Sequence, residues 1–209
     1  MSRTETVEAI VLRSVDVGEA DRFVILFTRE LGRIAARVPA SRRPGSSRAC
    51  TLPSARVSLM LRTSSSGTTV TQATLMHSPI TEPLAAFAVT SQALELLMQV
   101  LQEEDPQEEL FEATESFLKN CQDDADLAFL SFGIRFLSHL GVLPDADEMP
   151  KGIRLEKEEE EFLQASLTNH ILPPLTHDKG LRLMLRTILP TVLVSAPKST
   201  AVAKALAGK

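Results

Sequence analysis

The sequence contains no tryptophan and no tyrosine, and its aromatic residues, all phenylalanine, make up only 4% of the chain. Aromatic side chains are the usual stacking partners of unpaired bases, so their scarcity argues against aromatic base readout. The two cysteines, Cys50 and Cys121, form no CxxC pair, and neither a secretory signal nor an apolar run of membrane-spanning length occurs. We therefore expect a protein of the reducing cytoplasm, without a structural disulfide and without a membrane partner.

Acidic residues are also missing from a long interval. No Asp or Glu occurs between Glu30 and Glu82, whereas seven arginines do. Five of them lie in residues 31–50, here called the arginine stretch: Arg33, Arg37, Arg42, Arg43 and Arg48. Clustered arginines attract polyanions through bidentate contacts and counterion release, so with no acid nearby in sequence to cancel their charge these five are candidates for binding nucleic acid. A solvated surface that serves only solubility is the alternative.

Charge and composition divide the chain into two parts. Residues 1–80 hold 11 arginines, no lysine and six acids, a net charge of +5, whereas residues 81–209 hold 11 basic and 21 acidic residues, a net charge of −10. The apolar content of 44% is enough for two cores. We therefore predict two domains, 1–80 and 81–209.

The first part has the pattern of a small β-barrel. Five segments have strand character: TVEAIVLR, FVILFT, RIAARVP, ARVSLMLR and VTQATLM, the last two joined by a turn over residues 63–69. Alternation in the third places Arg33 and Arg37 on one face, and the proline and glycine of residues 40–49 indicate a flexible loop that displays the other three arginines. Five strands favour an OB-fold, which commonly binds oligonucleotides, although strand count alone does not distinguish it from an SH3-like barrel.

After Pro83 the pattern becomes helical. Apolar residues recur at helical spacing in six segments: residues 84–103, 107–120, 126–140, 156–167, 179–193 and 199–207. In the first part of the chain, the continuous apolar run FVILFT is suited to a buried strand. The whole chain is therefore predicted to be an α+β protein, an OB-fold β-barrel followed by an α-helical bundle.

Four segments in this order resemble the RecO recombination-mediator family: VLRSVDVGEADRFVILFTRELGRI, ASRRPGSSR, FGIRFLSHLGV and LRLMLRTILPTVLVSAPKS. The resemblance implies an OB-fold and a helical domain in a bacterial, cytoplasmic, nucleoid-associated protein. It implies binding to single- and double-stranded DNA, annealing of complementary strands, contact with the C-terminal tail of single-stranded-DNA-binding protein, and loading of RecA together with RecR. The family's basic face falls on the five arginines of the arginine stretch.

The chain departs from the family pattern at several positions. Val38-Pro39 replaces Lys-Gly, residues 52–54 lack the aromatic that follows the loop, and Thr200 replaces the arginine of the terminal Lys-Ser-Arg. Residues 144–152 contain no Cys or His where many members carry a four-cysteine zinc site, so we expect no zinc.

No pattern in the sequence indicates catalysis. The four histidines, His77, His139, His170 and His177, lack metal-site spacing, and the glutamates of EKEEEE (residues 156–161) point around a helix as a solvated face. We expect no catalytic residue, metal or cofactor, because annealing needs none. Three cations at i, i+3 and i+7 share one helical face and are candidates for binding a partner: Lys179, Arg182 and Arg186. The alternative function is an OB-fold module that recognises an acidic protein without annealing DNA.

Overall fold

The N-terminal part of the chain is a closed five-stranded barrel in the computed structural model, which describes residues 3–145, 148–168 and 172–193. The strands are β1 (Arg3–Val17), β2 (Asp21–Thr28), β3 (Gly32–Val38), β4 (Arg56–Ser64) and β5 (Gly67–His77). They follow the order β1-β2-β3-β5-β4 around the barrel, and β3 pairs with β5 in parallel. A five-stranded Greek-key barrel of this kind is the OB-fold, so the predicted fold class is confirmed.

Strand lengths differ from the prediction at two places. β1 runs for 15 residues because its first half pairs with β4 and its second half with β2, with a bulge between Val11 and Arg13. The turn between β4 and β5 is only two residues long, because Thr63 and Thr68 continue the ladder and their hydroxyls hydrogen-bond at 3.2 Å. Cross-strand threonine pairs stabilise such a ladder, so the hydroxyl-rich segment is mostly strand.

Five α-helices follow the barrel: α1 (Leu84–Val100), α2 (Glu108–Asn120), α3 (Ala125–His139), α4 (Lys157–Thr168) and α5 (Lys179–Val192). α3 contacts the other four helices and lies at the centre of the bundle. The predicted α1 was three residues too long, because the chain leaves the helix at Leu101. The predicted helix at residues 199–207 lies outside the described residues.

The barrel and the helices share a hydrophobic contact. One apolar cluster fills the barrel, whereas a second unites the helices with Ile10, Leu12 and Phe27 on the outside of the barrel. The rings of Phe27 and Phe111 meet edge to face with their centroids 5.3 Å apart, a favoured arrangement for aromatic pairs. The division between residues 80 and 81 stays a prediction; it falls between β5 and α1, and buried packing continues across it.

Candidate nucleic-acid interface

Of the two arginines predicted to share a face of β3, only Arg37 lies on an open surface. Both point out of the barrel, but the Arg33 guanidinium donates to the Met98 carbonyl at 3.2 Å and lies 3.7 Å from the Glu103 carboxylate. The Arg33 side chain is 23% exposed and that of Arg37 is 65% exposed. The segment after α1 therefore covers Arg33 and leaves Arg37 accessible.

Arg37 is held by a carboxylate from the neighbouring strand. Its Nε and Nη2 atoms lie 3.0 and 2.5 Å from one oxygen of Asp21, and the other oxygen accepts the Ala40 amide at 2.8 Å. The Ala40 hydrogen bond, followed by that from Arg37, holds the pKa of Asp21 below its usual value. Asp21 thus fixes the Arg37 guanidinium and the start of the arginine loop in one arrangement.

The three loop arginines have different surroundings. Arg42 binds the Asp16 carboxylate at 3.3 Å and the Gly18 carbonyl at 3.1 Å, whereas the half-buried Arg48 donates to the Thr71 carbonyl at 3.4 Å. The backbone of Arg43 hydrogen-bonds to Ala40 and Ser46, whereas its side chain is exposed and makes no hydrogen bond or ion pair among the described residues. Residues 47–50 form a 3-10 helix, so the loop is more regular than predicted.

The expectation that no nearby acid cancels the arginine charge is wrong for the folded chain. Asp16 and Asp21 lie outside the acid-free interval, but the β1–β2 hairpin carries them next to β3 and its loop. Charge remains in excess nevertheless. Around the hairpin and the loop, the arginines at positions 13, 22, 37, 42, 43 and 48 face the acids at positions 16, 19 and 21, which leaves a net charge of +3.

An exposed apolar strip lies beside these arginines. Val15 is opposite Phe23 across the β1–β2 pair, and Phe23 is opposite Arg37 across the β2–β3 pair; directly opposite residues share one face of a sheet. Val15, Val17 and Phe23 are 44, 48 and 45% exposed. We call the outer surface formed by Arg13, Val15, Val17, Phe23 and Arg37 the β1–β3 face.

Phe23 is the residue that sequence reasoning missed. FVILFT was predicted to be a buried strand, which is wrong for its first residue. Val24 and Leu26 point into the barrel, and of the outward residues Phe27 and Ile25 pack against the helical cluster while Phe23 stays exposed. The available signal was the alternation itself, since it places Phe23 on the side of β2 opposite to the core.

Two further arginines of the barrel are engaged by the helices. Arg29 binds three glutamates of α2, Glu108, Glu112 and Glu115, at 3.1, 3.1 and 3.5 Å. Arg56 lies between Glu115 at 2.5 Å and Glu8 at 2.7 Å. The basic barrel and the acidic helices therefore neutralise each other at their contact, and these arginines are not on the β1–β3 face.

The predicted partner-binding cations lie on α5. Lys179 and Arg186 are exposed, but Arg182 pairs with Asp178 at 2.6 Å and with Asp126 at 3.3 Å. A separate cavity of about 580 Å³ lies between α2, α3 and α4, and its lining includes Lys119 and Arg135 together with Glu112 and Glu115. Sequence reasoning did not anticipate this cavity because its lining comes from three separate helices, from Arg29 after β2 and from Leu172 before α5.

The glutamate run was predicted to be a solvated face, which is wrong for Glu159. Glu159 is only 2% exposed, and its carboxylate accepts the backbone amides of Gly180 at 2.7 Å and Leu181 at 3.1 Å. These are the orphan amides at the start of α5, so Glu159 caps that helix from α4. Over the described ranges, no group of three or more His, Cys, Asp or Glu residues could hold a metal ion, and no helix is long and apolar enough to cross a membrane.

Comparison with known proteins gives one consistent result. The family model described as Recombination protein O N terminal matches residues 1–79, and the one described as Recombination protein O C terminal matches residues 82–151. A protein named DNA repair protein RecO from Myxococcus xanthus is 32% identical over 147 residues, which is 67% of this chain and 60% of that protein. The protein of the same name from Syntrophobacter fumaroxidans is 34% identical over 152 residues, 68% of this chain and 59% of that protein. The chain thus spans about three fifths of the length of these relatives.

Proposed function

Since this chain belongs to the Recombination protein O family, we propose that it is a nonenzymatic, DNA-binding mediator of recombinational repair. It binds single- and double-stranded DNA and anneals complementary strands. With RecR it assists the loading of RecA onto strands covered by single-stranded-DNA-binding protein, on nucleoid DNA in the bacterial cytoplasm. The observation that carries the proposal is the excess of arginine on and beside the β1–β3 face of an OB-fold.

The proposed mechanism is electrostatic. The β2–β3 surface is where OB-folds commonly bind oligonucleotides, and here it presents the exposed Arg37 with Arg42 and Arg43 beside it. Guanidinium groups that neutralise the phosphates of two strands lower the repulsion between the strands, and they do so without reading bases. The strands then pair through their own complementarity, which requires no catalytic residue.

The partner contact in this proposal involves an acidic tail. Two places in the helical part offer cations beside apolar side chains: the α5 surface with Lys179, Leu183 and Arg186, and the cavity with Arg135, where Glu112 and Glu115 offset part of the charge. Separate Arg186→Ala and Arg135→Ala variants, titrated with a peptide of the tail of single-stranded-DNA-binding protein, distinguish them. The variant that weakens peptide binding identifies the place, and unchanged binding in both would contradict a tail contact at either.

The DNA proposal is tested by the salt dependence of binding. In the test variant, Arg37, Arg42 and Arg43 are changed to Ala, and anisotropy of a labelled mixed-sequence single strand is followed over a series of NaCl concentrations. Each lost phosphate contact lowers the slope of log K against log salt by about 0.7 for a single strand, so three contacts lower it by about 2.

The control removes the same charge from other surfaces. Lys151, Arg154 and Lys157 are exposed and lie in the helical part of the chain, so changing them to Ala should leave most of the slope intact. Equal losses in both variants would mean that net charge, and not this face, governs binding. Competition experiments distinguish the proposed function from the alternative function. Unlabelled single-stranded DNA and polyglutamate should displace the labelled strand equally well if the protein is a module for acidic proteins, whereas a DNA-binding protein should respond far more to the DNA.

A further inference from the structure

Phe23 lies in an arrangement that neither packing nor charge pairing explains. Its side chain is 45% exposed although the residue lies in the middle of a three-stranded surface, with Val15 opposite on β1 and Arg37 opposite on β3. It belongs to neither apolar cluster of the chain. Val15 and Val17 beside it are similarly exposed, so the strip is a contiguous apolar surface with Arg13 and Arg37 at its edges and Asp21 opposite Val17 at its end. Exposed apolar surface with a polar rim marks an interaction site.

The charge around the strip selects the kind of partner. Arg13 and Ile25 form the next cross-strand pair along the sheet, two residues from the pair of Val15 and Phe23, so Arg13 on β1 lies diagonally from the ring while Arg37 on β3 lies directly across from it. Neighbouring strands are separated by about 4.8 Å and successive same-face residues by about 6.6 Å. Both guanidinium groups can therefore reach the backbone of a chain whose planar groups rest on the ring. Alternating anionic and planar apolar groups are the chemistry of a single-stranded nucleic acid.

We propose that Phe23, with Val15 and Val17 beside it, is a stacking platform for an unpaired base of single-stranded DNA, and that Arg13 and Arg37 hold the flanking phosphates. The proposal rests on the proposed function and assigns to this surface the ability to distinguish single strands from duplex. Bases inside a duplex have no free face, so the ring can stack only on an unpaired base. Duplex DNA is left to the arginines alone.

Asp21 offsets part of the charge of Arg37 but fixes the position of its guanidinium. Asp21 binds the guanidinium through two nitrogens and is itself fixed by the Ala40 amide. The cation is thereby held at the edge of the strip, and its side chain remains 65% exposed. A phosphate meets a pre-oriented guanidinium there, which reduces the ordering cost of binding.

The first test compares two phenylalanines of equal exposure. Phe23 is 45% exposed on the barrel and Phe87 is 46% exposed on α1. If one base stacks on the ring, Phe23→Ala should weaken the binding of a homopolymeric single strand such as oligo(dT) between about 5- and 140-fold. Phe87→Ala should leave it unchanged, and binding of Phe23→Ala to duplex should change by less than about twofold because no phosphate contact is lost.

The second test uses fluorescence, because the chain contains no tryptophan and no tyrosine. Phe23→Trp and Phe87→Trp each introduce a single strong fluorophore. Oligo(dT) should quench the emission of the Phe23→Trp protein, whereas duplex should not, and the Phe87→Trp protein should not respond to either. Thermal unfolding of each variant checks that the barrel is intact.

The outcomes separate the inference from the proposed function. If the unaltered protein binds oligo(dT), Phe23→Ala binds it equally well, and the Phe23→Trp emission does not change, the stacking platform is overturned while DNA binding stands. If the unaltered protein binds no DNA, both are overturned. A Phe23→Leu variant that binds as tightly as the unaltered protein would show that apolar contact, not stacking, holds the strand, and would also overturn the inference.

Discussion

Replacing Glu115 with Gln should weaken the contact between the barrel and the helices and so lower the stability of the protein. Glu115 and Arg56 are both only 13% exposed, and their charged atoms lie 2.5 Å apart. The same carboxylate contacts Lys119 at 2.8 Å and Arg29 at 3.5 Å. Glu115→Gln removes the charge and keeps the shape, so it measures the electrostatic part of this contact.

The expected loss of unfolding free energy depends on the ion pairs that Arg56 and Arg29 keep after Glu115→Gln. Breaking a buried ion pair costs about 3–5 kcal/mol when the surviving charge has no other partner. Arg56 keeps Glu8 at 2.7 Å, and Arg29 keeps Glu108 and Glu112 at 3.1 Å each. The loss should therefore be nearer that of one charged hydrogen bond, about 2 kcal/mol. For a chain of this size, that lowers Tm by about 4–8 °C.

The assay is thermal unfolding followed by circular dichroism, with a matched exposed pair as control. Lys157 and Glu161 lie 3.8 Å apart on α4 with side chains 89 and 61% exposed. Glu161→Gln should change stability by less than about 0.5 kcal/mol. If Glu115→Gln and Glu161→Gln have the same small effect, the ion pairs at the interface do not stabilise it and the reasoning is refuted.

The pH dependence supplies an independent check of the same prediction. Burial would raise the pKa of Glu115, but the hydrogen bond from Lys119 and the charges of Arg56, Lys119 and Arg29 outweigh it, so the pKa lies below its usual value of 4.5. A depressed pKa contributes stability that is fully present above the unfolded value and is lost as pH falls through the folded value. The Tm difference between the two proteins should be constant above pH 4.5 and shrink below it.

Two further predictions concern acids with other roles. Asp16→Asn removes a carboxylate that lies 3.1 and 3.3 Å from Arg22 and Arg42 and raises the net charge beside the β1–β3 face by one, so single-strand affinity at low salt should rise; anisotropy titration that shows equal or weaker binding would contradict this. Glu159→Gln weakens the cap of α5 and should cost about 1–2 kcal/mol of unfolding free energy, measured by denaturant titration, whereas Glu160→Gln on the exposed side of α4 should cost nothing measurable. Equal stability of these two variants would remove the capping role.

The strands and helices were largely predictable because local patterns produce them. Alternation identified four of the strands, a continuous apolar run identified β2, and helical spacing identified the five described helices. The order of strands around the barrel was not predictable from their number, since it depends on the pairing of β3 with β5, whose paired residues are separated by about thirty positions in the chain. Tertiary pairing of this kind leaves no local pattern in the sequence.

The candidate site was less predictable because charges meet in space and not in sequence. The acid-free interval correctly located the arginines, but Asp16 and Asp21 reach them through strand pairing. Arg33 is covered because the chain after α1 runs alongside β3. The backbone of Asp105 comes so close to Gly32 that a Cβ atom would not fit there. Phe23 escaped notice because a continuous apolar run conceals which of its residues the helices will cover.

The central claim, that the β1–β3 face brings DNA strands together, is tested most directly by the rate of annealing of two complementary single strands coated with single-stranded-DNA-binding protein. Fluorescence energy transfer between labels on the two strands follows the reaction. The unaltered chain should accelerate annealing, and the variant with Arg37, Arg42 and Arg43 changed to Ala should lose most of that acceleration, while the Lys151, Arg154 and Lys157 control retains it. Equal rates with and without the unaltered chain would contradict the claim.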